Sequence, residues 1–471
     1  MHYLLVVLIL IACVTVPGQS GRSTLTDLSV EPGSEAKRSV KELFNEANAY
    51  VRTKVDEFEA KKVPFSDRLL TRTQLEQRQL AAKHASAAGM RKDLTGEDHY
   101  YLGMLHWIAE NLDGTLENLG KYIASGDSAK DRIQTARSIS VVALAKQNKL
   151  EPAESILSDY RQAAMPRLTE VARMGAELAK AYQRKKEFGR MAPHAQTAYD
   201  SSKALLKEAS SRARGLDEIL DAGMLLYEAF RDTGDRKRAD AALDDMRSTA
   251  ALVGSPSFYY YAVDQKIKYM IETGRKPDAL AFYEASKLAV QKDLAVKTAQ
   301  NDVLSRLRKR ERHYQLLGES PPEMPDIDQW FPGTPTTLAQ LKGKVILLDF
   351  WATWCGPCFE AFPHLIEWHQ EFADDGFVIL GVTRYYGPNG GMPAENAGEI
   401  EELKRFREKQ RLPYDFIVGK GQGIQLLYGG TTLPTAVLID RKGVIRYIES
   451  GTSQSRLNQM REMLFKLMAE K

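Results

Sequence analysis

Residues 344–363 read KVILLDFWATWCGPCFEAFP, and the rest of the chain is arranged around them. Val345–Phe350 is apolar apart from Asp349 and reads as a buried parallel strand. Trp351–Gly356 turns the chain, and Pro357 followed by Glu360–Phe372 reads as the opening of a helix. Cys355 then sits near the N-cap and Cys358 one turn in, with both sulfurs on one face and close enough to close a small disulfide ring. The unpaired N–H groups and positive dipole end of the helix favour a thiolate at Cys355 over a thiol. Pro357 costs little in the first turn, where no intrahelical partner waits for its missing N–H. The stretch is built for thiol redox chemistry.

Trp354-Cys355-Gly356-Pro357-Cys358, after Asp349-Phe350-Trp351-Ala352, resembles the active site of the thioredoxin superfamily. The wider frame resembles its TlpA/ResA-like extracytoplasmic branch. Leu341-Lys342-Gly343-Lys344 precedes the strand, and Pro363 follows the second cysteine. Downstream, Tyr428-Gly429 and Leu433-Pro434-Thr435 lead into Val437-Leu438-Ile439-Asp440 and Gly443. The resemblance covers residues 320–471 and implies a protein thiol-disulfide oxidoreductase. Two departures stand out. That branch often carries Asn where this chain has Asp349, and Glu where it has Ala361; Glu360 lies one position earlier. The chain thus joins the buried acid of thioredoxin to a TlpA-like frame.

With 471 residues the chain is long enough for two or three domains with full cores. A formal net charge of +3 gives no electrostatic case for nucleic acid as a partner. Of three cysteines, Cys13 falls in an N-terminal apolar run, which leaves Cys355 and Cys358 as the pair for chemistry. A zinc half-site would need a second Cys or His pair. No histidines show ligand spacing, so neither a metal nor a cofactor beyond the cysteine pair is expected.

Tyr3–Val16 followed by Pro17-Gly18-Gln19-Ser20 reads as a secretory signal peptide over residues 1–20, although its start lacks Lys or Arg. Leu10-Ile11-Ala12-Cys13 offers the alternative of a bacterial lipobox with Cys13 lipidated. Either way export is expected, as a periplasmic protein or a membrane-anchored lipoprotein facing the periplasm. Residues 21–35 read as a flexible tether. Residues 36–317 are helical in pattern, with turns at 111–114, 146–149, 184–187, 233–236 and 273–276. Those turns resemble the joints of degenerate tetratricopeptide-like hairpins, whose ideal period is about 34 residues. The Tyr-rich pairs and runs there read as core packing, and the basic run Arg306–Arg312 as a solvated face.

Gly318–Pro325 is Pro-rich and reads as a linker, followed by the thioredoxin-like domain over residues 326–471. Its expected elements are a short hairpin within Asp326–Thr337, strands at Val345–Phe350 and Phe377–Thr383, and a helix at Gly398–Gln410. Tyr414–Val418, a short helix Gln422–Tyr428, a hairpin of Thr435–Asp440 with Val444–Glu449, and a final helix Gln454–Ala469 complete it. The fold class is therefore an all-α helical-hairpin region plus an α/β domain around a mixed sheet.

Asp349, inside an apolar strand, should have its pKa raised by desolvation and take the proton of the resolving thiol, Cys358. The resemblance implies that Pro434 is the cis-proline facing the Cys355-Gly356-Pro357-Cys358 loop, leaving the backbone of Leu433 to pair with a bound substrate strand. Trp354 offers substrates an apolar plate. Val345–Phe350 and Phe377–Thr383 should be parallel, so Arg384, Tyr385 and Tyr386 leave the second strand on the rim that carries Cys355. They are expected to border the substrate groove, ahead of a Gly-rich loop over Gly387–Gly398. Gly356-Pro357 is the dipeptide of thioredoxin, whose potential of about −270 mV favours reduction of protein disulfides. A membrane electron donor is then required, and the helical region offers a surface for a protein partner. The rival readings are a helical-repeat adaptor whose thioredoxin-like domain only binds, and a thiol peroxidase of the redoxin type. Thr353 stands two residues before Cys355 with Trp354 between, which does not suit the peroxidase.

Overall fold

Five turns in the helical region are built alike. Three residues separate the end of each helix from the start of its successor, and the middle one takes a left-handed backbone: Glu110, Asn148, Lys186, Gly234 and Gly274. The amide of the third residue reaches back five places, as in Asn111 to His106, Lys149 to Leu144 and Glu187 to Tyr182, at 2.9, 2.9 and 3.0 Å. These are Schellman closures that satisfy orphan carbonyls and reverse the chain. The computed structural model describes residues 38–470 except 65, 127–128, 164–165, 209–211 and 388–395. The expected leader, lipobox and tether, and most of the Gly-rich loop with Gly390 and Gly391, lie outside the described residues.

The chain divides into two compact units, Met1–Tyr160 and Arg161–Lys471. The first holds α1 (Val40–Ala60), α2 (Asp67–Gly89), α3 (Gly96–Ile108), α4 (Leu112–Ala124), α5 (Lys130–Lys146) and most of α6 (Leu150–Gln162). Its core sets Ala47, Ala81, Ala85 and Ala88 against Leu43, Tyr100, Leu105 and Tyr122, small residues that let helix axes approach. Ser39 with Glu42, and Thr95 with Asp98, form capping boxes on α1 and α3.

The second unit begins with α7 (Leu168–Arg184), α8 (Phe188–Leu205), α9 (Arg212–Asp232), α10 (Arg236–Val253), α11 (Pro256–Glu272), α12 (Lys276–Asp293) and α13 (Lys297–Leu316). There follow β1 (Ile327–Phe331), β2 (Val345–Phe350), α14 (Gly356–Phe372), β3 (Phe377–Arg384), α15 (Asn396–Gln410), β4 (Asp415–Gly419), α16 (Gly423–Tyr428), β5 (Thr435–Ile439), β6 (Ile445–Ser450) and α17 (Gln454–Ala469). One mixed sheet runs in the order β1-β4-β3-β2-β5-β6, with β2, β3 and β4 parallel and the outer strands antiparallel to their neighbours. β2 is buried along its whole length, as an apolar run in the middle of a covered sheet must be.

Two expectations are corrected. Asp326–Thr337 holds a single strand rather than a hairpin: β1 pairs antiparallel with β4, far along the chain. Pro332, Gly333 and Pro335 leave no returning strand, and β4 presents an open edge. The basic run on α13 is not all solvated. Arg310 is buried on the stripe Gln300, Val303, Leu307, Arg310 and Tyr314. Its guanidinium lies between Asp264 on α11, at 3.3 Å, and Glu449 on β6, at 2.9 Å, and Lys268 completes the group at 2.9 and 2.8 Å from the same two carboxylates. Burial pushes the Asp264 carboxyl up, but the Lys268 and Arg310 charges outweigh it and hold the group well below the usual carboxylate range. Two acids and two bases leave this buried quartet neutral.

The segment between α13 and β1 is held by hydrogen bonds. Gly318 N–H donates to Ile445 O at 2.8 Å, and Ile445 N–H donates to Glu319 O at 2.9 Å. The Tyr428 hydroxyl donates to Pro322 O. Glu323 accepts from the Leu338 and Ala339 amides at 3.1 and 2.9 Å.

Candidate active site

The apolar strand β2 delivers the chain into a turn whose end is the N-cap of α14, and that N-cap is Cys355. Cys355 and Cys358 are joined as a disulfide with their Cα atoms 5.3 Å apart. Cys358 N–H donates to Cys355 O at 3.0 Å and is shared with Cys355 Sγ at 3.3 Å, so an amide of the first helical turn faces that sulfur. Both cysteines are almost wholly covered, whereas Trp354 beside them is 57% exposed. Trp354 is thus an exposed plate rather than a core residue.

Asp349 leaves β2 on the face of Val345 and Leu347, which belong to the same core cluster as Cys355, Cys358, Trp351 and Phe362. Its neighbour on β3 is Gly381, where an added Cβ would come 3.0 Å from Trp351 Nε1 and from Phe416. Indole and phenyl rings therefore close over the gap beside the carboxyl. Asp349 Oδ2 is buried and has no hydrogen-bond partner among the described residues. Burial alone pushes its pKa up to about 7. Tyr414, on the same core, has a hydroxyl pushed well above its ordinary value by burial and then by the Asp349 charge. A carboxyl that changes protonation near neutrality is suited to general acid–base work. Ala361 lies in the core, and Glu360 accepts from Thr452 at 3.1 Å, so no carboxylate substitutes at the branch's usual Glu position.

The Leu433–Pro434 peptide is cis. Thr435, which opens β5, pairs with Phe350, the last residue of β2, so Pro434 stands level with the start of the Trp351–Cys355 turn. Leu433 packs on the core cluster that contains both cysteines. A second cis bond, Phe331–Pro332, carries no signal in the sequence that separates it from an ordinary loop proline.

At the rim the three residues after β3 part company. Tyr386 meets Trp354 edge-on with ring centroids 5.3 Å apart. The Arg384 guanidinium lies 4.1 Å over the Tyr386 ring, and its Nε donates to Gln425 Oε1 at 3.1 Å while Gln425 Nε2 donates to the Tyr386 hydroxyl at 2.6 Å. Tyr385 instead donates its hydroxyl to Asp328 on β1 at 2.5 Å. The structure therefore brings Arg384 and Tyr386 to Trp354 and turns Tyr385 away. Gln425, which orients both, escaped the sequence reading because a lone Gln in a short helix carries no pattern.

Residues 323–448 match the AhpC/TSA family model. The chain is 31% identical over 120 residues to the thiol-disulfide oxidoreductase ResA of Halalkalibacterium halodurans, covering 25% of this chain and 61% of that protein. It is 32% identical over 121 residues to the thioredoxin-like protein YneN of Bacillus subtilis, covering 26% of this chain and 64% of that one. The chain thus spans less than two thirds of the length of these curated relatives. A solved structure of a thiol-disulfide isomerase from Corynebacterium glutamicum aligns with 32% of this chain and 97% of its own, at 22% identity and a TM-score of 0.27. With the mixed six-stranded sheet and the cysteine pair at the N-terminus of α14, residues 323–448 are a thioredoxin-like domain of the AhpC/TSA family.

Proposed function

We propose that this chain is an exported thiol-disulfide oxidoreductase that reduces disulfides in protein substrates. The observation that carries the reading is the Cys355–Cys358 disulfide at the start of α14, on the core shared with the buried, unpartnered carboxyl of Asp349. In the reduced protein the Cys355 thiolate attacks one sulfur of a substrate disulfide; that S–S bond breaks, a mixed disulfide forms and one substrate thiolate leaves. Cys358 then gives its proton to Asp349 and attacks Cys355 Sγ. The mixed disulfide breaks, the second substrate thiolate leaves, and the Cys355–Cys358 bond is restored. The substrate gains two electrons and the enzyme dithiol loses two. A dithiol donor at the membrane must return them, since reduction is not self-sustaining in an oxidising compartment. Gly356 and Pro357 keep the loop tight, Trp354 with Tyr386 and Arg384 frames the approach, and the Leu433 backbone before Pro434 pairs with the substrate strand. The helical region, read as tetratricopeptide-like hairpins, supplies a docking surface for a protein partner. Similarity to relatives named thiol-disulfide oxidoreductase ResA supports this reading.

The test is insulin reduction by the full chain with dithiothreitol as donor, run beside hydrogen peroxide consumption. Precipitation of the insulin B chain, abolished by Cys355→Ser, is expected. Peroxide consumption without insulin reduction would replace the reading with a thiol peroxidase, and neither activity would leave a binding adaptor. Cys358→Ser should strand substrate proteins on Cys355 as mixed disulfides in an exporting host.

A further inference from the structure

Helix α13 belongs to the helical region, yet its last turns grip the loop that carries the cis-proline. That loop, Gly429–Pro434, runs from α16 to β5. On its incoming side Arg312 Nε donates to Leu427 O at 2.8 Å, and His313 Nε2 meets Gly429 O at 3.0 Å. The His313 ring can only donate there. Arg310 Nη1, which has nothing but N–H to offer, approaches His313 Nδ1 at 2.8 Å, so Nδ1 accepts and the proton sits on Nε2. The contact is close as well as polar: Gly429 has φ +67°, and a Cβ there would lie 2.8 Å from His313 Cδ2.

The outgoing side is held from the same helix. Arg310 Nη2 donates to Ile448 O at 3.2 Å and to Glu449 at 2.9 Å on β6. Two residues on, Gly451 N–H donates to Pro434 O at 2.8 Å, and Thr435 Oγ1 and Ser450 Oγ meet at 2.7 Å. Within the loop, Gly430 N–H returns to Gln425 O at 2.7 Å. Arg310 is itself fixed by the Asp264 and Glu449 carboxylates, which Lys268 also pairs with. Both flanks of the cis-proline loop are therefore tied to one rigid helix outside the thioredoxin-like domain.

We propose that His313, Arg312 and Arg310 are positioning residues: through α13 the helical region holds the cis-proline loop where a substrate strand pairs with it. The proposal rests on the disulfide-reductase reading, so its test carries one readout that does not. Full-length His313→Leu, Arg312→Leu and His313→Gln proteins are compared with the parent for insulin reduction, for reaction of the reduced protein with dithiobis(nitrobenzoic acid), and for amide exchange of residues 429–435. The small aromatic disulfide needs no strand pairing. Losing one anchor should raise KM for insulin about tenfold in His313→Leu and several-fold in Arg312→Leu, with kcat and the small-disulfide rate within about a factor of two. Exchange of 429–435 should quicken, and His313→Gln, which keeps an N–H donor at the Nε2 position, should restore KM. Unchanged KM and exchange in both Leu variants overturn the proposal. So does insulin and small-disulfide reactivity falling in parallel, or a KM defect that Gln does not repair. If the parent fails to reduce insulin, the reductase reading falls by itself. The exchange of His313→Leu then decides the brace: faster supports it and unchanged sinks it.

Discussion

Asp349 carries opposite obligations in the fold and in the reaction. A free Asp carboxyl ionises near 3.8, whereas this one is pushed up to about 7 by burial. Between those values the folded chain holds a proton that the unfolded chain has lost, so stability is full below the lower value and falls as pH rises through the upper one. The loss is on the order of 4 kcal/mol above pH 8. Oxidised Asp349→Asn should therefore melt with the parent at pH 4 and well above it at pH 8.5. A melting difference of equal size at both pH values would show that the carboxyl does not titrate in this range. The same variant should form the mixed disulfide at the parental rate and release substrate more slowly, as seen by quenching and trapping successive time points. Tyr385 and Tyr386 make a second residue-scale contrast. Tyr386→Ala removes the partner of Trp354 and should weaken turnover of a protein disulfide, beyond the roughly 1 kcal/mol of stability lost with its bond from Gln425. Tyr385→Ala loses its bond to Asp328 and should lower stability by about 1 kcal/mol with turnover preserved. The reverse assignment of turnover, read from insulin kinetics, would mean that Tyr385 is the rim residue.

Among the elements, α13 is the one whose charge pattern misleads. Arg306, Arg308, Lys309, Arg310 and Arg312 look like one solvated run, yet the three–four spacing of Val303, Leu307, Arg310 and Tyr314 marks Arg310 as inward-facing. Periodicity held the signal and composition hid it. Arg310→Met should cost roughly 3–5 kcal/mol, because it leaves two buried carboxylates with Lys268 alone. Adding Glu449→Gln to Arg310→Met should recover part of the loss, since it restores the charge balance. A double variant less stable than Arg310→Met by the full cost of Glu449→Gln would mean that the quartet is not energetically coupled. By contrast, β2, α14 and α17 were legible almost to the residue. A fully apolar run, a helix opened by Cys and Pro, and a Ser-capped amphipathic helix are each decided by neighbours in sequence. The partner of β1 was not legible, because pairing with β4 across about 85 residues is chosen by the assembled sheet.

For the molecule as a whole, the WCGPC motif told where the cysteines lie and the Leu433-Pro434-Thr435 resemblance where the cis-proline lies, but neither told that helices α7–α13 share a compact unit with the sheet. That union came from single side chains (Arg310, Arg312, His313 and Lys268), none of which a motif would single out. It bears on truncation. A fragment of residues 161–471 keeps Asp264, Lys268 and α13 and should melt like the corresponding transition of the full chain. One of residues 320–471 loses the brace on Gly429 and Glu449 and should melt several degrees lower, with faster exchange around the cis-proline. Equal melting of the two fragments would show that the thioredoxin-like domain needs no help from α13.

The pairing of Gly318 and Glu319 with Ile445 reaches beyond local order. β6 ends the sheet, and a terminal strand with free N–H and C=O groups is a template for another chain. Here the chain's own connecting segment occupies part of that template. A protease that nicks the Pro-rich stretch after Glu319 would free this segment to peel away and uncover the strand. Cleaved material would then be prone to self-association through β6 while its cysteines remained intact, so fibrillar clumping, rather than loss of redox activity, would be the first sign of damage.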